Sequence, residues 1–209
     1  MTTTTMSNIQ SLHELSLRLS LPILTAESCT SGMLASSVTS RPGASALFAG
    51  GVVAYSNLLK HHMLKVSVEI LSEEKGGPGE VSEECAIAMA RGVLQNSGIL
   101  DSETVPKEVK VGMMGAKRHG LALSTTGFLQ GGPEGRDGEV WVGCYWIYQG
   151  KEGSCAKKMD MKAPECAQRH AGKEDEAARH ILKEIVVQEA LRMAVEVANA
   201  LETKDTKNA

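Results

Sequence analysis

Aromatic residues are scarce in this chain of 209 residues, at 3% of the total against 42% hydrophobic residues in all. A core built from Val, Ile, Leu, Ala and Met suits a helix-covered sheet better than an aromatic-rich sandwich. Long apolar runs are also missing, since no segment reaches the roughly 18 residues that suggest a membrane span. The N-terminus lacks an apolar signal core and any Arg. We therefore expect a cytoplasmic protein that has no membrane partner.

Basic runs, cysteine pairs and metal-binding motifs are absent as well. The 22 Lys and Arg are spread out, and the formal net charge is -3, so we expect no nucleic-acid partner. Five cysteines without a C-x-x-C pair indicate reduced thiols packed as small hydrophobes. His61 and His62 are adjacent, and H-E-x-x-H, the P-loop and G-x-G-x-x-G patterns do not occur. We therefore expect neither a metal site nor a cofactor.

Segments with the apolar pattern of a strand alternate along the chain with segments that have the apolar pattern of a helix, as in an α/β domain. A helix over about 7–20 precedes a buried strand over 22–26, and a turn over 27–32 leads into a helix over 33–38. The other predicted elements are a strand over 50–55, a helix capped by Asn57 that carries Lys60, a helix opened by Ser82, strands over 121–125 and 140–148, a weaker strand near 155–161, and a helix over about 174–201.

These elements predict one domain over residues 7–202. It is flanked by a flexible N-terminus over 1–6 and a polar tail over 203–209. Residues 97–120 are polar and Gly-rich around one β-like piece at 109–113, and we interpret them as a possible insertion.

Small polar turns stand at three predicted strand ends, over 27–32, 50–57 and 126–132. In open α/β sheets ligands bind at strand ends, and a helix that starts after such a turn offers free backbone N–H groups that suit a phosphate. The same turns are ordinary helix starts, so both interpretations stay open. A hydroxyl nucleophile needs an activating base, and a lysine can act as one when burial lowers its pKa. Spacing alone does not single out Ser45 and Lys60 as such a pair.

Four ordered motifs resemble the CinA C-terminal domain family, whose active members deamidate nicotinamide mononucleotide to nicotinate mononucleotide and ammonia. They are L-T-A-E-S-C-T-S-G at 24–32, P-G-A-S at 42–45, G-V-V-A-Y-S-N-L-L-K at 51–60 and G-E-V-S-E-E at 79–84. The resemblance implies a three-layer α/β/α sandwich, a small-molecule nucleotide substrate and a homo-oligomer.

The resemblance also implies roles for individual residues. Ser45 would be the nucleophile and Lys60 its base, while Tyr55 would orient one of them. The residues expected to bind substrate are Thr30, Ser31, Gly32, Gly50, Gly51, Asn57, Thr126, Gly127 and Arg179.

Three departures from the family pattern keep an alternative open. Ser31 replaces a glycine of the first motif, the loop over 127–139 is shorter than usual, and Arg179 is only a positional counterpart of the family's G-D-R. The alternative is a non-catalytic nucleotide-binding or interaction protein on the same scaffold.

Overall fold

The computed structural model describes residues 3–100, 118–172 and 175–208. The β-like piece at 109–113, and most of the insertion expected around it, lie outside these ranges. Five strands form one mixed sheet in the order β2-β1-β3-β4-β5. The strands are β1 Ile23–Glu27, β2 Phe48–Val53, β3 Gly120–Gly127, β4 Glu139–Tyr148 and β5 Lys151–Asp160. β1 is parallel to both β2 and β3, whereas β4 is antiparallel to both of its neighbours, β3 and β5.

Helices cover both faces of this sheet. They are α1 Thr3–Leu19, α2 Met33–Val38, α3 Asn57–Leu64, α4 Val68–Leu71, α5 Glu83–Gln95, α6 Pro164–His170 and α7 Asp175–Asn208. One apolar cluster joins α1, α2 and α7 to the first face, and a second joins α3 and α5 to the other. This confirms the α/β fold with three layers. No helix within the described ranges is long and apolar enough to cross a membrane.

The central strand β3 is buried on both of its faces. Leu121 and Leu123 pack into the cluster of α1 and α7, and Ala122 packs into the cluster of α5. Ser124 also points to the α5 side, where its hydroxyl donates to the Ala86 carbonyl at 2.6 Å. Because alternate residues face opposite layers and both layers are covered, neither face needs polar residues.

The predicted strands and helices are all present in the described residues, but three details differ. α1 begins at Thr3, inside the segment that we expected to be flexible, and Thr5 is buried. α7 continues through the expected polar tail, where Tyr148 and Gln149 at the end of β4 donate to the Asp205 carboxylate. Ser56 rather than Asn57 caps α3, since its hydroxyl accepts from the Leu59 N–H at 3.3 Å.

The close approach of α5 to α3 requires a glycine at position 92. A Cβ placed there would lie 1.8 Å from the Leu64 carbonyl oxygen, which is backbone and cannot rotate away. We predict that Gly92→Ala lowers the free energy of unfolding by about 1–3 kcal/mol, because overpacking outweighs the gain in helix propensity of about 1 kcal/mol.

Urea denaturation measures this change. Ser36→Ala, at an exposed helical position, is the control and should alter stability by less than about 0.5 kcal/mol. An unchanged or raised midpoint for Gly92→Ala would contradict the packing argument.

Candidate active site

The carboxyl ends of the parallel strands β1, β2 and β3 meet at one edge of the sheet, which we call the carboxyl edge. Glu27, Val53 and Gly127 are the last residues of these strands. β2 and β3 lie on opposite sides of β1, so the order in which successive strands are added to the sheet reverses at β1. In open α/β sheets such an edge is where ligands bind.

Lys60 is the buried amine of the carboxyl edge. α3 follows β2 after a three-residue connection. Its Lys60 side chain is buried at the carboxyl edge, where only 1% of it is exposed. Its Nζ donates to the Glu80 carbonyl at 3.0 Å and to Thr126 Oγ1 at 2.9 Å. Thr126 in turn donates to the same carbonyl at 2.6 Å. The amine therefore ties α3 to the segment before α5 and to the end of β3.

Burial lowers the pKa of Lys60 below its ordinary value of 10.5, because a desolvated ammonium is unfavourable. A neutral amine has two N–H donors and one lone pair. The two acceptors beside Nζ match the two donors, which leaves the lone pair to accept a proton. The environment of Lys60 thus favours the form that a general base requires.

Glu27 occupies the turn that the sequence had suggested as a phosphate site. Its carboxylate accepts from the Thr30 hydroxyl at 2.7 Å and from three backbone N–H groups. These belong to Gly32 at 2.9 Å, Leu34 at 3.0 Å and Ala35 at 2.8 Å. The prediction of free N–H groups after Thr30 was therefore wrong, because a buried side chain from the preceding strand already fills the positive end of α2.

Thr30 and Cys29 are enclosed beside this carboxylate. The Thr30 hydroxyl lies 2.7 Å from Thr125 Oγ1, so it is shared between β1 and β3. Burial raises the pKa of the Cys29 thiol to about 12, which keeps it protonated and unreactive near neutral pH. All five cysteines are free thiols, as we expected. The Thr30 hydroxyl is thus engaged within the protein, where it holds the turn together.

Tyr55 and Arg179 meet on the outer side of the carboxyl edge. Arg179 Nη2 donates to the Tyr55 hydroxyl at 3.0 Å, which joins the end of β2 to the second turn of α7. One turn further along α7, Lys183 donates to Ser31 Oγ at 3.3 Å. α7 thus brings Arg179 to the residues after β2 and Lys183 to the turn before α2.

A cavity of about 520 Å³ lies beside Lys183, between α2 and α7. Ser31, Gly32, His180 and Lys183 are among the residues that line it. Three of the residues expected to bind substrate, Thr30, Ser31 and Gly32, therefore line this cavity, although Thr30 is buried and the backbone amides of Ser31 and Gly32 are already bonded within the turn. Asn57 lines a second cleft of about 450 Å³ together with Glu80.

Ser45 lies away from this site within one chain. It belongs to a short 3-10 turn before β2, and the neighbouring Leu47 carbonyl accepts from the Ile23 N–H at 2.7 Å, at the amino end of β1. β1 and β2 then run in parallel to Glu27 and Val53. At about 3.3 Å per residue this places roughly 16 Å of sheet between the two ends. The structure does not bring Ser45 to Lys60, because a whole strand separates them.

The glycines expected to bind substrate have structural reasons to be glycine. A Cβ at position 51 would lie 2.2 Å from Thr25 Oγ1, and one at position 127 would lie 2.6 Å from a Val140 methyl group. Gly50 has no such neighbour within 4 Å. Close packing therefore explains Gly51 and Gly127 without a ligand.

The shortened loop after β3 is fixed at the carboxyl edge by Arg136. Its guanidinium donates to the Glu73 carboxylate at 2.6 Å, to the Glu139 carboxylate at 3.2 Å and to the Val81 carbonyl. It also stacks over Phe128, 5.4 Å from the ring centroid. The loop thus has a defined position against the segment that precedes α5.

Sequence reasoning missed three features of the site. Thr126 was expected to touch substrate, but it is fully buried as the partner of Lys60. The Glu80 carbonyl and the second cation, Lys183, were not singled out. Lys183 lies four residues after Arg179, so the helical repeat offered a signal for it. Within the described ranges, no three His, Cys, Asp or Glu side chains are placed to hold a metal ion.

The fold and this edge define an α/β domain with a buried lysine and an anion-compatible crevice. Comparison with known proteins gives the family. The model of the CinA C-terminal domain matches residues 6–101. A CinA-like protein of Mycolicibacterium vanbaalenii is 53% identical over 76 residues, 36% of this chain and 17% of that protein. One of Chlorobium limicola is 39% identical over 141 residues, 68% of this chain and 26% of that protein.

Solved structures agree on the fold. The crystal structure of a CinA superfamily protein from Klebsiella pneumoniae superposes with a TM-score of 0.66 at 22% identity, over 94% of this chain and 98% of that one. Residues 6–101 belong to the CinA C-terminal domain family. The whole chain spans about a quarter or less of the length of the curated relatives described above.

The Glu27 contacts generate a prediction about stability. Glu27→Gln keeps the shape but replaces one carboxylate oxygen by an NH₂ group that faces other donors. We predict a loss of about 2–3 kcal/mol in the free energy of unfolding, since hydrogen bonds to a buried charged group are strong and the displaced donors stay unsatisfied.

Denaturant titration measures the loss, and Glu202→Gln is the matched control. Glu202 pairs with Arg18 on the surface, where the same substitution should change stability by less than about 1 kcal/mol. Equal losses in the free energy of unfolding in the two variants would contradict the stabilising role of the Glu27 carboxylate.

Proposed function

We propose that the protein is an amidohydrolase that converts nicotinamide mononucleotide to nicotinate mononucleotide and ammonia by a Ser/Lys mechanism. The observation that carries this proposal is the buried Lys60 amine, whose lowered pKa and two matched acceptors favour the neutral, basic form. Membership of the CinA family supports the substrate class.

The proposed reaction has two halves. The reaction requires a Ser45 hydroxyl to reach Lys60, which the arrangement of one chain does not provide. In the proposed mechanism the Ser45 oxygen attacks the carboxamide carbon while its proton passes to Lys60. The C–N bond then breaks, Lys60 returns the proton to the leaving nitrogen, and ammonia departs from an acyl-enzyme. Water attacks the acyl carbon while Lys60 accepts its proton. Lys60 returns that proton to the Ser45 oxygen as the ester bond breaks, and the acid product releases its remaining proton to solvent and leaves as the carboxylate.

The cations at the mouth of the crevice support a phosphorylated substrate. Arg179 offers a planar fork of donors that fits phosphate oxygens, and Lys183 adds a point charge one turn away. Tyr55 holds Arg179 at 3.0 Å from its hydroxyl. We expect the phosphate to bind here, with the nicotinamide ring directed toward Lys60.

A non-catalytic nucleotide-binding or interaction protein is the second candidate function. The specific observation in its favour is the position of Ser45, which lies at the opposite edge of the sheet from Lys60 in a single chain. Such a protein would bind the nucleotide through Arg179 and Lys183 and release no ammonia.

Ammonia release from nicotinamide mononucleotide by the purified protein separates the two functions. We expect steady turnover by the wild type and a loss of several orders of magnitude in Ser45→Ala, which lacks the nucleophile. We expect the same loss in Lys60→Met, which keeps much of the side-chain volume without a base. Binding of the nucleotide without ammonia release would contradict the amidohydrolase and support the non-catalytic function.

The rate should also depend on pH in the direction set by Lys60. Its pKa is lowered, so the rate of the wild type should rise with pH through that lowered value and then level off. The folded state holds fewer protons than the unfolded state between that value and 10.5. Stability should therefore rise with pH over the same interval.

Lys60→Met, which has no amine to titrate, should lose the Lys60 contribution to the pH dependence of stability. Denaturant titrations at several pH values test this independently of any activity. An unchanged pH dependence of stability in the variant would contradict the lowered pKa.

Arg179 should act on substrate binding and not on proton transfer. We predict that Arg179→Ala raises KM for the nucleotide by roughly tenfold to a hundredfold, because a charged hydrogen bond contributes about 1.5–3 kcal/mol. Nicotinamide riboside, which has no phosphate, should be affected far less. Steady-state kinetics on both substrates measure the difference.

Arg192→Ala is the control for Arg179→Ala. Arg192 lies on the same helix and pairs with Glu189 and Glu196 on the surface. Its loss should leave both KM values unchanged. Equal losses on nucleotide and riboside in Arg179→Ala would exclude a phosphate contact.

A further inference from the structure

Two cysteines lie directly opposite each other on neighbouring strands, far from the carboxyl edge. Cys144 of β4 and Cys155 of β5 are partners in the antiparallel register, and both are free thiols. We call them the thiol pair. Cys144 belongs to the apolar cluster of α1 and α7, and Cys155 packs against that cluster. On its other side Cys144 faces Leu123, four residues before the end of β3. The thiol pair is therefore separate from the candidate active site.

The register places the two sulfur atoms within reach of a covalent bond. Directly opposite residues of antiparallel strands have Cα atoms about 4.5–5.5 Å apart. A disulfide takes Cα separations of about 4.4–6.8 Å. The Cys144 thiol also donates a hydrogen bond to the Cys155 sulfur, so the two side chains already point toward each other. A bond between them can form by a change of side-chain torsion angles within the existing register.

The two thiols differ in exposure and acidity. Cys144 is 0% exposed, and burial raises the pKa of its thiol well above the usual range. Cys155 is half-buried, and the hydrogen bond from Cys144 lowers its pKa below the ordinary value of 9.0. Because the thiolate is the nucleophile in thiol chemistry, Cys155 is suited to attack first and Cys144 to follow. Burial raises the pKa of Cys29 to about 12 and that of Cys85 to about 11.

The ligand set around the thiol pair does not favour a metal ion. Structural zinc takes four ligands. In the part of the chain that the structure describes, no third His, Cys, Asp or Glu side chain is placed to join the two sulfurs around an ion. Two opposed thiols without further ligands are suited instead to a two-electron oxidation.

We propose that Cys144 and Cys155 form a reversible dithiol/disulfide site whose reaction partners are small organic disulfides. The Cys155 thiolate attacks one sulfur of the reagent, the S–S bond of the reagent breaks, and one thiol leaves with the proton that Cys155 gave up. Cys144 then loses its proton and attacks the Cys155 sulfur, and the second thiol leaves with that proton. The thiol pair is oxidised by two electrons, and the reagent is reduced to two thiols. Neither cysteine takes part in the proposed amidohydrolase mechanism, so this inference does not rest on it.

The new bond fastens β5, the last strand of the sheet, to β4. It closes a loop of twelve residues, from Cys144 to Cys155, and so reduces the conformational entropy of the unfolded chain. We expect oxidation to raise the Tm by roughly 3–10 °C. Thermal unfolding of oxidised and reduced protein measures the shift, and oxidant-treated Cys155→Ser should show none. An unchanged or lowered Tm in the oxidised wild type would contradict this clamp.

Peptide mapping by mass spectrometry tests the site itself. The native protein is treated with 2-hydroxyethyl disulfide, a small and neutral reagent. We expect a link between Cys144 and Cys155, with the loss of two hydrogens, at least tenfold more abundant than any other cysteine modification. Dithiothreitol should reverse it. Absence of this link, or links spread evenly over the five cysteines as in an unfolded chain, would overturn the proposal.

Single variants test the order of attack. Cys144→Ala keeps the attacking thiol but cannot resolve the intermediate, so a mixed disulfide should accumulate on Cys155. In Cys155→Ser, modification of Cys144 should be at least tenfold slower. Cys166→Ser, which changes a buried cysteine of α6, is the matched control and should form the same link as the wild type. Equal rates in the first two variants would refute the assigned roles.

The order of attack can also be followed without any substitution. Quenching the wild type with acid at early times should capture the mixed disulfide on Cys155 before Cys144 displaces the second thiol. The assignment is thus tested even if Cys144→Ala does not fold. An early mixed disulfide on Cys144 would overturn it.

Discussion

The burial of the Lys60 amine is the interaction on which the carboxyl edge depends. An amine withdrawn from water needs hydrogen-bond partners, and here they come from the Glu80 carbonyl and from Thr126. α3 carries the amine, β3 carries the hydroxyl, and the carbonyl lies just before α5. Satisfying one nitrogen therefore fixes three elements that are far apart in the sequence. The same burial lowers the pKa of the amine, so position and reactivity have one cause.

The Glu27 carboxylate stabilises the other side of the carboxyl edge. It binds the N-terminal amides of α2, so a carboxylate within the protein already satisfies the groups that would otherwise attract a phosphate. Thr125 lies beside the Thr30 hydroxyl that Glu27 also binds, and the next residue, Thr126, contacts Lys60. With the helix end filled, an anionic ligand depends on the side-chain cations of α7. In the proposed function, recognition of the phosphate is therefore assigned to the side chains of Arg179 and Lys183 and not to backbone amides.

Local patterns in the sequence were sufficient to predict the helices and strands but not the contacts between them. Apolar periodicity located β1, β3 and α5, because burial on one or two faces leaves a direct mark on the sequence. The cap of α3 was assigned to Asn57 instead of Ser56, since both residue types cap helices equally well. Nothing local shows that the Glu27 side chain turns back onto α2. The error about free amides therefore came from a tertiary contact.

Sequence separation was the weakest guide to the site. Ser45 and Lys60 are fifteen positions apart, which suggests closeness, yet β2 runs the length of the sheet between them. Arg179 is remote in sequence and nevertheless contacts Tyr55. A parallel strand carries its two flanking segments to opposite edges, so the motifs on either side of β2 lie apart within this chain although they are neighbours in the sequence.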